Sequence, residues 1–146
     1  MPTIQRSAVV TYTPQQMYEL VHDVERYPEF LPWCQSTQVH SRDTTEQVAS
    51  ISMSKGPLRQ TFTTRNPLIP GEQLEVFLVK GPFKTLQGRW RFEPTGESGC
   101  RVSLALEFEF SNRLLAATVG PVFAQIARSM MDAFVKRARS LYGPIR

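Results

Sequence analysis

Between residues 99 and 110 the chain alternates strictly: Val102, Leu104, Leu106, Phe108 and Phe110 face one way, while Arg101, Ser103, Glu107 and Glu109 face the other. A strand with so regular a period of two has one dry face and one wet face. Such strands belong to antiparallel sheets, not to parallel sheets buried on both sides. The same period runs back through the chain in Leu86, Gly88, Trp90 and Phe92, in Leu74, Val76 and Leu78, in Leu58, Gln60 and Phe62, and in Ala49, Ile51 and Met53. Turn residues punctuate these runs at Lys55-Gly56-Pro57, at Asn66-Pro67 with Pro70-Gly71, at Gly81-Pro82 and at Pro94-Thr95-Gly96. Thr37 to Ser41 reads as a weaker strand ending in the polar turn Arg42 to Glu46, and Ser7 to Tyr12, rich in Val, Thr and Tyr, reads as the first strand.

Such a sheet needs a cover for its dry face. Leu115, Val119, Val122, Phe123, Ile126, Met130, Phe134, Ala138 and Leu141 recur at three- and four-residue intervals, so Leu114 to Tyr142 reads as one long amphipathic helix. Gly120-Pro121 either bends it or marks its true start, and Gly143-Pro144 ends it. Near the N-terminus, Pro14 to Val24 reads as a helix. Thr13 and Gln16 form a capping box, Pro14 sits in the first turn, and Met17, Leu20, Val21 and Val24 keep the apolar stripe. The two prolines in Tyr27-Pro28-Glu29-Phe30-Leu31-Pro32-Trp33 limit the next stretch to a short helical turn. The expected fold is α+β: a seven-stranded antiparallel sheet wrapped around a long C-terminal helix, with two short helices after strand one. Its 146 residues suit a single domain spanning 1–146.

Charge placement is more informative than its total. Residues 113–146 hold Arg113, Arg128, Lys136, Arg137, Arg139 and Arg146 against Asp132, a balance of +5, while the preceding chain stands at −1. A basic helical face either meets phosphates of RNA or of an anionic membrane, or is simply solvated, its last turn complementing the helix dipole. Cys34 and Cys100 stand apart, without metal or redox spacing, and read as buried or half-buried thiols. The two histidines, His22 and His40, make no ligand pair. No nucleophile elbow, phosphate loop or inward carboxylate pair is present. No catalytic or metal site is therefore expected. With neither a signal peptide nor an apolar run of spanning length, the chain is expected to be cytoplasmic.

The order of elements, together with several motifs, resembles the coenzyme-Q-binding and ribosome association toxin family of the START-like, helix-grip superfamily of polyketide cyclases, dehydrases and lipid transporters. The motifs are Tyr12-Thr13-Pro14 through Met17-Tyr18, Leu20-Val21 and Asp23-Val24, then Tyr27-Pro28 and Phe30-Leu31-Pro32-Trp33-Cys34. They continue in Gly81-Pro82-Phe83-Lys84, Leu86, Gly88, Trp90 and Phe92, and in Phe134, Arg137, Ala138 and Tyr142 on the last helix. The resemblance covers nearly the whole chain and implies two roles. The first is a non-enzymatic binding protein for a polyprenyl, ubiquinone-like quinone or similar lipid, supporting respiration, with peripheral contact at the inner membrane. The alternative is a toxin that binds the large ribosomal subunit and blocks subunit joining. No DNA partner and no cofactor beyond a ubiquinone-like ligand is implied. Catalysis, if there were any, would be cyclase-like, as in some helix-grip relatives.

On residue chemistry alone, the space between sheet and helix is either a filled core or a ligand cavity. If it is a cavity, the inward phases assign its wall to Phe62, Val76, Leu86, Trp90, Leu104 and Leu106 on the sheet and to Val119, Phe123, Ile126 and Met130 on the helix. Phe30, Leu31 and Trp33 then close one side. In a meander, the loops at Lys55-Gly56-Pro57-Leu58, Gly81-Pro82-Phe83-Lys84 and Ser111-Asn112-Arg113 fall at one end, either as a gate or as plain hairpin tips. There Phe83 is expected at the tip, as a plug or a membrane-dipping group of little weight in stability. Lys84 beside it meets a lipid phosphate or quinone carbonyl, or only solvent. Arg128, Lys136 and Arg139 are the expected RNA- or membrane-contact residues.

Overall fold

A computed structural model describes residues 3–144; Arg146, counted above in the basic segment, lies outside the described residues. The strands are β1 (Thr3–Val10), β2 (Cys34–Arg42), β3 (Glu46–Lys55), β4 (Leu58–Ile69), β5 (Gln73–Lys80), β6 (Phe83–Thr95) and β7 (Gly99–Phe110). They form one antiparallel sheet in the order β1-β7-β6-β5-β4-β3-β2, so six strands run as a meander and the first closes the far edge beside the last. Helix α1 (Pro14–His22) and a 3-10 helix (Val24–Glu29) follow β1, and α2 (Arg113–Thr118) and α3 (Gly120–Tyr142) follow β7. This is the expected architecture.

Local chemistry sets the helix ends as the sequence implies. Thr13 Oγ1 accepts from Gln16 N at 3.1 Å while Gln16 Oε1 accepts from Thr13 N at 2.9 Å, completing the capping box. The long helix, however, is two helices. Asn112 caps α2 by accepting from Leu115 N at 2.8 Å, Val119 breaks the run, and Pro121 sits in the first turn of α3, where its missing N–H costs no hydrogen bond. Gly143, at φ 93, ends α3.

Helix α3 lies over the dry face of the sheet through Phe123, Ile126, Ala127, Met131, Phe134 and Ala138, all buried. Leu141 departs from the expected stripe and is exposed. Phe134, wholly buried, meets the rings of Tyr27, Phe30 and Trp90 at 5.5, 5.3 and 5.2 Å. Burying such a side chain contributes about 1.5–3 kcal/mol before ring geometry is considered. Arg137 ties the 3-10 helix to α3: it pairs with Glu29 at 2.8 Å and lies over the Phe30 ring at 5.0 Å.

Three features of the sheet differ from the strands and turns read from the sequence. Register shifts between Val39 and Ser41 in β2 and between Phe83 and Thr85 in β6 bring Arg42 and Phe83 onto the inward face, against the phase of their neighbours. Strand β4 runs through Asn66-Pro67 to Ile69 rather than stopping there. Pro67 lies opposite Glu46 at the end of β3, where few ladder bonds are lost.

Candidate functional site

The dry face and α3 do not meet everywhere. Between them lies a cavity of ≈ 90 Å³, room for a few waters. Its sheet wall is Ala49, Ile51, Met53, Phe62, Thr64, Asn66, Leu74, Val76, Leu86, Trp90, Leu104 and Leu106. Phe123, Ile126, Ala127 and Met130 of α3 form the roof, and Val21, Val24, Tyr27 and Trp33 close one side. Ile51, Val76 and Met130 are half-buried, and the other lining residues are buried.

The residues expected to form a wall divide as follows. Trp33, Phe62, Val76, Leu86, Trp90, Leu104, Leu106, Phe123, Ile126 and Met130 line the cavity. Phe30, Leu31 and Val119 do not, which corrects that expectation, and neither Phe83 nor Lys84 of the expected entrance belongs to the lining. Leu31 and Val119 are buried in packing elsewhere, and Phe30 packs between Phe134 and Arg137. Lys84 is exposed. Phe83 is no exposed tip: only 6% of it is accessible, and it sits among Phe62, Phe110 and Phe123 at ring distances of 5.8, 4.7 and 5.1 Å. The loop end of the barrel-like space is thus sealed by an aromatic cluster. Above it the Gly81-Pro82 turn meets the start of α2, where Ser111 N donates to Pro82 O at 2.9 Å.

Absent from the expected wall are Val21, Val24 and Tyr27, which α1 and the 3-10 helix turn inward, and Ala49, Ile51, Met53, Leu74 and Ala127, which share the inward faces of their elements. Thr64 and Asn66, also absent from it, share the inward phase of Phe62 but are polar. Asn66 Nδ2 donates to Glu75 O at 3.0 Å and to Thr64 Oγ1 at 3.4 Å. Tyr27 is fully buried among apolar groups, which raises its phenol far above the usual range, and its hydroxyl donates to Val21 O. No Asp, Glu, Lys, Arg, His or Cys belongs to the lining. Burial pushes both free thiols up to about 11; both lie outside the lining and are buried in the core.

Beside the cavity Arg42 organises a polar cluster. Its Nε donates to Gln47 Oε1 at 2.6 Å, and its terminal nitrogens donate to Glu25 at 2.7 and 3.1 Å. The hydrogen bond from Arg42 holds the Glu25 carboxyl below the usual range. His22, stacked on Tyr18, titrates low because it is partly desolvated and lies near Arg42.

On the outer side, Arg128, Lys136 and Arg139 are exposed along one stripe of α3, and none makes an ion pair among the described residues. Asp132 lies on the same stripe between Arg128 and Lys136. No helix of the described residues is long and apolar enough to cross a membrane.

Residues 10–135 match the family model described as polyketide cyclase / dehydrase and lipid transport. The Pseudomonas aeruginosa protein named ribosome association toxin RatA is 47% identical over 140 residues, covering 96% of this chain and 97% of the relative. A Xenopus laevis mitochondrial protein named coenzyme Q-binding protein COQ10 homolog B is 30% identical over 142 residues, covering 94% of this chain and 58% of the relative. Among solved structures, an 18 kDa protein of Caulobacter crescentus superposes with a TM-score of 0.76 at 32% identity, covering 99% of this chain and 100% of that one. The Zhui aromatase/cyclase of a Streptomyces species superposes with a TM-score of 0.79 at 15% identity over 95% of both chains, a likeness of fold.

Proposed function

Because the chain belongs to the polyketide cyclase / dehydrase and lipid transport family, and within it to the group of the coenzyme-Q-binding proteins and ribosome association toxins, we propose that it is a non-enzymatic, ribosome-associating protein of the toxin type, which binds the large subunit and blocks subunit joining. The observation that carries this reading is 47% identity, over nearly the full length of both chains, to a protein named ribosome association toxin. The ribosome association role, the alternative implied by the sequence resemblance, is thereby better supported than quinone binding. The unpaired Arg128, Lys136 and Arg139 on the outer stripe of α3 are the groups available to ribosomal RNA phosphates. Each phosphate neutralised by such a residue adds about 0.7–0.9 to the steepness of log K against log salt.

Co-sedimentation with purified large subunits over a salt series tests this. The triple variant Arg128→Glu, Lys136→Glu, Arg139→Glu should bind more weakly, with a salt slope shallower by about 2–3. Binding and slope both equal to those of the unaltered protein would reject the α3 stripe as the contact. Failure of the unaltered protein to co-sediment or to block subunit joining would reject the reading.

A second reading is favoured by the apolar cavity and by the likeness to a protein named as coenzyme Q-binding. In it the cavity holds the ring of a polyprenyl quinone or a similar lipid, gaining roughly 25 cal/mol per Å² of apolar surface buried. A volume of ≈ 90 Å³ is below the roughly 150 Å³ of an apolar cavity that holds benzene, so a substituted quinone ring and its isoprene tail both need more room than the lining leaves. The ligand then displaces a lining side chain, and half-buried, unbranched Met130 is the one best able to swing aside. Lipid extraction and native mass spectrometry of the purified protein test it: copurifying quinone supports it, and its absence, together with no uptake from quinone-loaded vesicles, rejects it.

A further inference from the structure

Apart from the Tyr27 phenol and the indoles of Trp33 and Trp90, the polar side chains of the lining gather at one corner, at Thr64 and Asn66. Across the β3–β4 pair, Gln47 stands opposite Asn66 and Ala49 opposite Thr64. Ala49, Thr64 and Asn66 line the cavity, while Gln47, on the same inward face and opposite Asn66, adjoins that corner without itself belonging to the lining. Gln47 is wholly buried, and its Nε2 has no hydrogen-bond partner among the described residues. Buried amide N–H groups are nearly always paired, so an orphan beside a cavity points to a group the protein itself does not supply. The methyl of Ala49 leaves open the space that a larger residue at that corner would fill.

We propose that this corner recognises the uncharged oxygen of a small cyclic ligand, a ring carbonyl or hydroxyl, with the rest of the ring lying against the apolar wall. The inference rests on the cavity reading above and specifies the ligand's polar group. Arg42 fixes the direction of the bond: its Nε–H holds Gln47 Oε1 at 2.6 Å, which leaves Nε2 as the amide's free end, a donor. Thr64 Oγ1 receives an N–H of Asn66 at 3.4 Å, so its hydroxyl proton is left to donate. Two donors at diagonal positions of one inward face suit an acceptor oxygen.

Charge decides between a neutral oxygen and a carboxylate. A buried carboxylate requires a cation, and the nearest, Arg42, is already matched by both oxygens of Glu25 at 2.7 and 3.1 Å and by Gln47. The lining offers no other positive group. Fatty acids and other carboxylate lipids are therefore disfavoured, and aromatic ketones and quinone-type carbonyls are favoured.

The test uses three probes of nearly one shape on the full chain: acetophenone, isopropylbenzene and benzoate, titrated calorimetrically, with Trp33 and Trp90 fluorescence as the second readout. One hydrogen bond gained in a dry site is worth about tenfold in Kd. Acetophenone should therefore bind about tenfold more tightly than isopropylbenzene, and benzoate should bind most weakly. In Gln47→Met the preference for acetophenone should shrink while isopropylbenzene binds as before. Thr64→Val, of nearly equal shape, is the second variant and should lose part of the preference. Equal affinity for acetophenone and isopropylbenzene, or a preference that survives both substitutions, overturns the assignment while leaving the apolar cavity standing. If no probe binds, the cavity reading falls, and this one with it.

Discussion

Phe83→Ala separates a packed core from a gated mouth. As the first residue of β6, Phe83 pairs with Phe110, and its ring is enclosed by Phe62, Phe110 and Phe123 with 6% of the residue accessible. Truncating a ring so enclosed removes its burial and leaves a void, at a cost of about 3–5 kcal/mol where the surroundings cannot collapse. The adjoining Gly81-Pro82 turn allows some relaxation, which puts the expected loss near the lower end, about 3 kcal/mol. For a chain of 146 residues, an unfolding entropy of about 2.1 cal/mol/K per residue turns that loss into a drop of about 10 °C in Tm. Urea unfolding followed by tryptophan fluorescence, with a thermal melt alongside, measures both. A cycle with Phe110→Leu should return a coupling of about 0.5–1.5 kcal/mol for the two rings. Lys84→Ala, one residue along and exposed, should stay within about 0.5 kcal/mol. A Phe83→Ala loss under about 1 kcal/mol with Tm nearly unchanged would refute the packing argument and restore Phe83 as a mobile tip.

His22 titrates below its free value of 6.5 because of burial first and Arg42 second, so the folded chain binds fewer protons than the unfolded chain between the lowered value and 6.5. Stability should therefore fall as pH drops through that window and rise as pH climbs out of it. His22→Asn should flatten this part of the profile of urea midpoint against pH, and an unaltered slope would assign it to other groups. Gly88→Ala would place a Cβ 2.9 Å from Ala105 O and 2.9 Å from Leu106 Cδ1, forcing β6 from β7 at a cost of about 1–3 kcal/mol; an unchanged Tm would show that the pair yields freely. Cys34 and Cys100, with thiols raised to about 11 by burial, should resist iodoacetamide at pH 8 until urea is added. Mass-spectrometric labelling of the native chain at the rate of a free thiol would contradict that burial.

The periodicities were sufficient to read the architecture from sequence. Strict alternation over residues 99–110 and the runs before it specify an antiparallel sheet with one dry face, and short polar turns between successive strands leave little but a meander. The capping box at Thr13 and Gln16 and the stop at Gly143 are equally local: each is satisfied by atoms within one turn of the chain. The cavity was only partly legible. Alternation identified Phe62, Val76, Leu86, Trp90, Leu104 and Leu106, whose phase continues unbroken along their strands, and the helical period identified Phe123, Ile126 and Met130. Phe83 and Arg42, read as turn residues, face inward because a register shift reverses phase and is set by how two strands twist against each other, not by either strand's own pattern. Alternation failed for Thr64 and Asn66 because an inward polar residue is recognisable only once its partner, the Glu75 carbonyl, is in place. The orphaned amide of Gln47, and the empty space near it, exist only in three dimensions. A void is the failure of two surfaces to touch, and no single segment of sequence carries both surfaces.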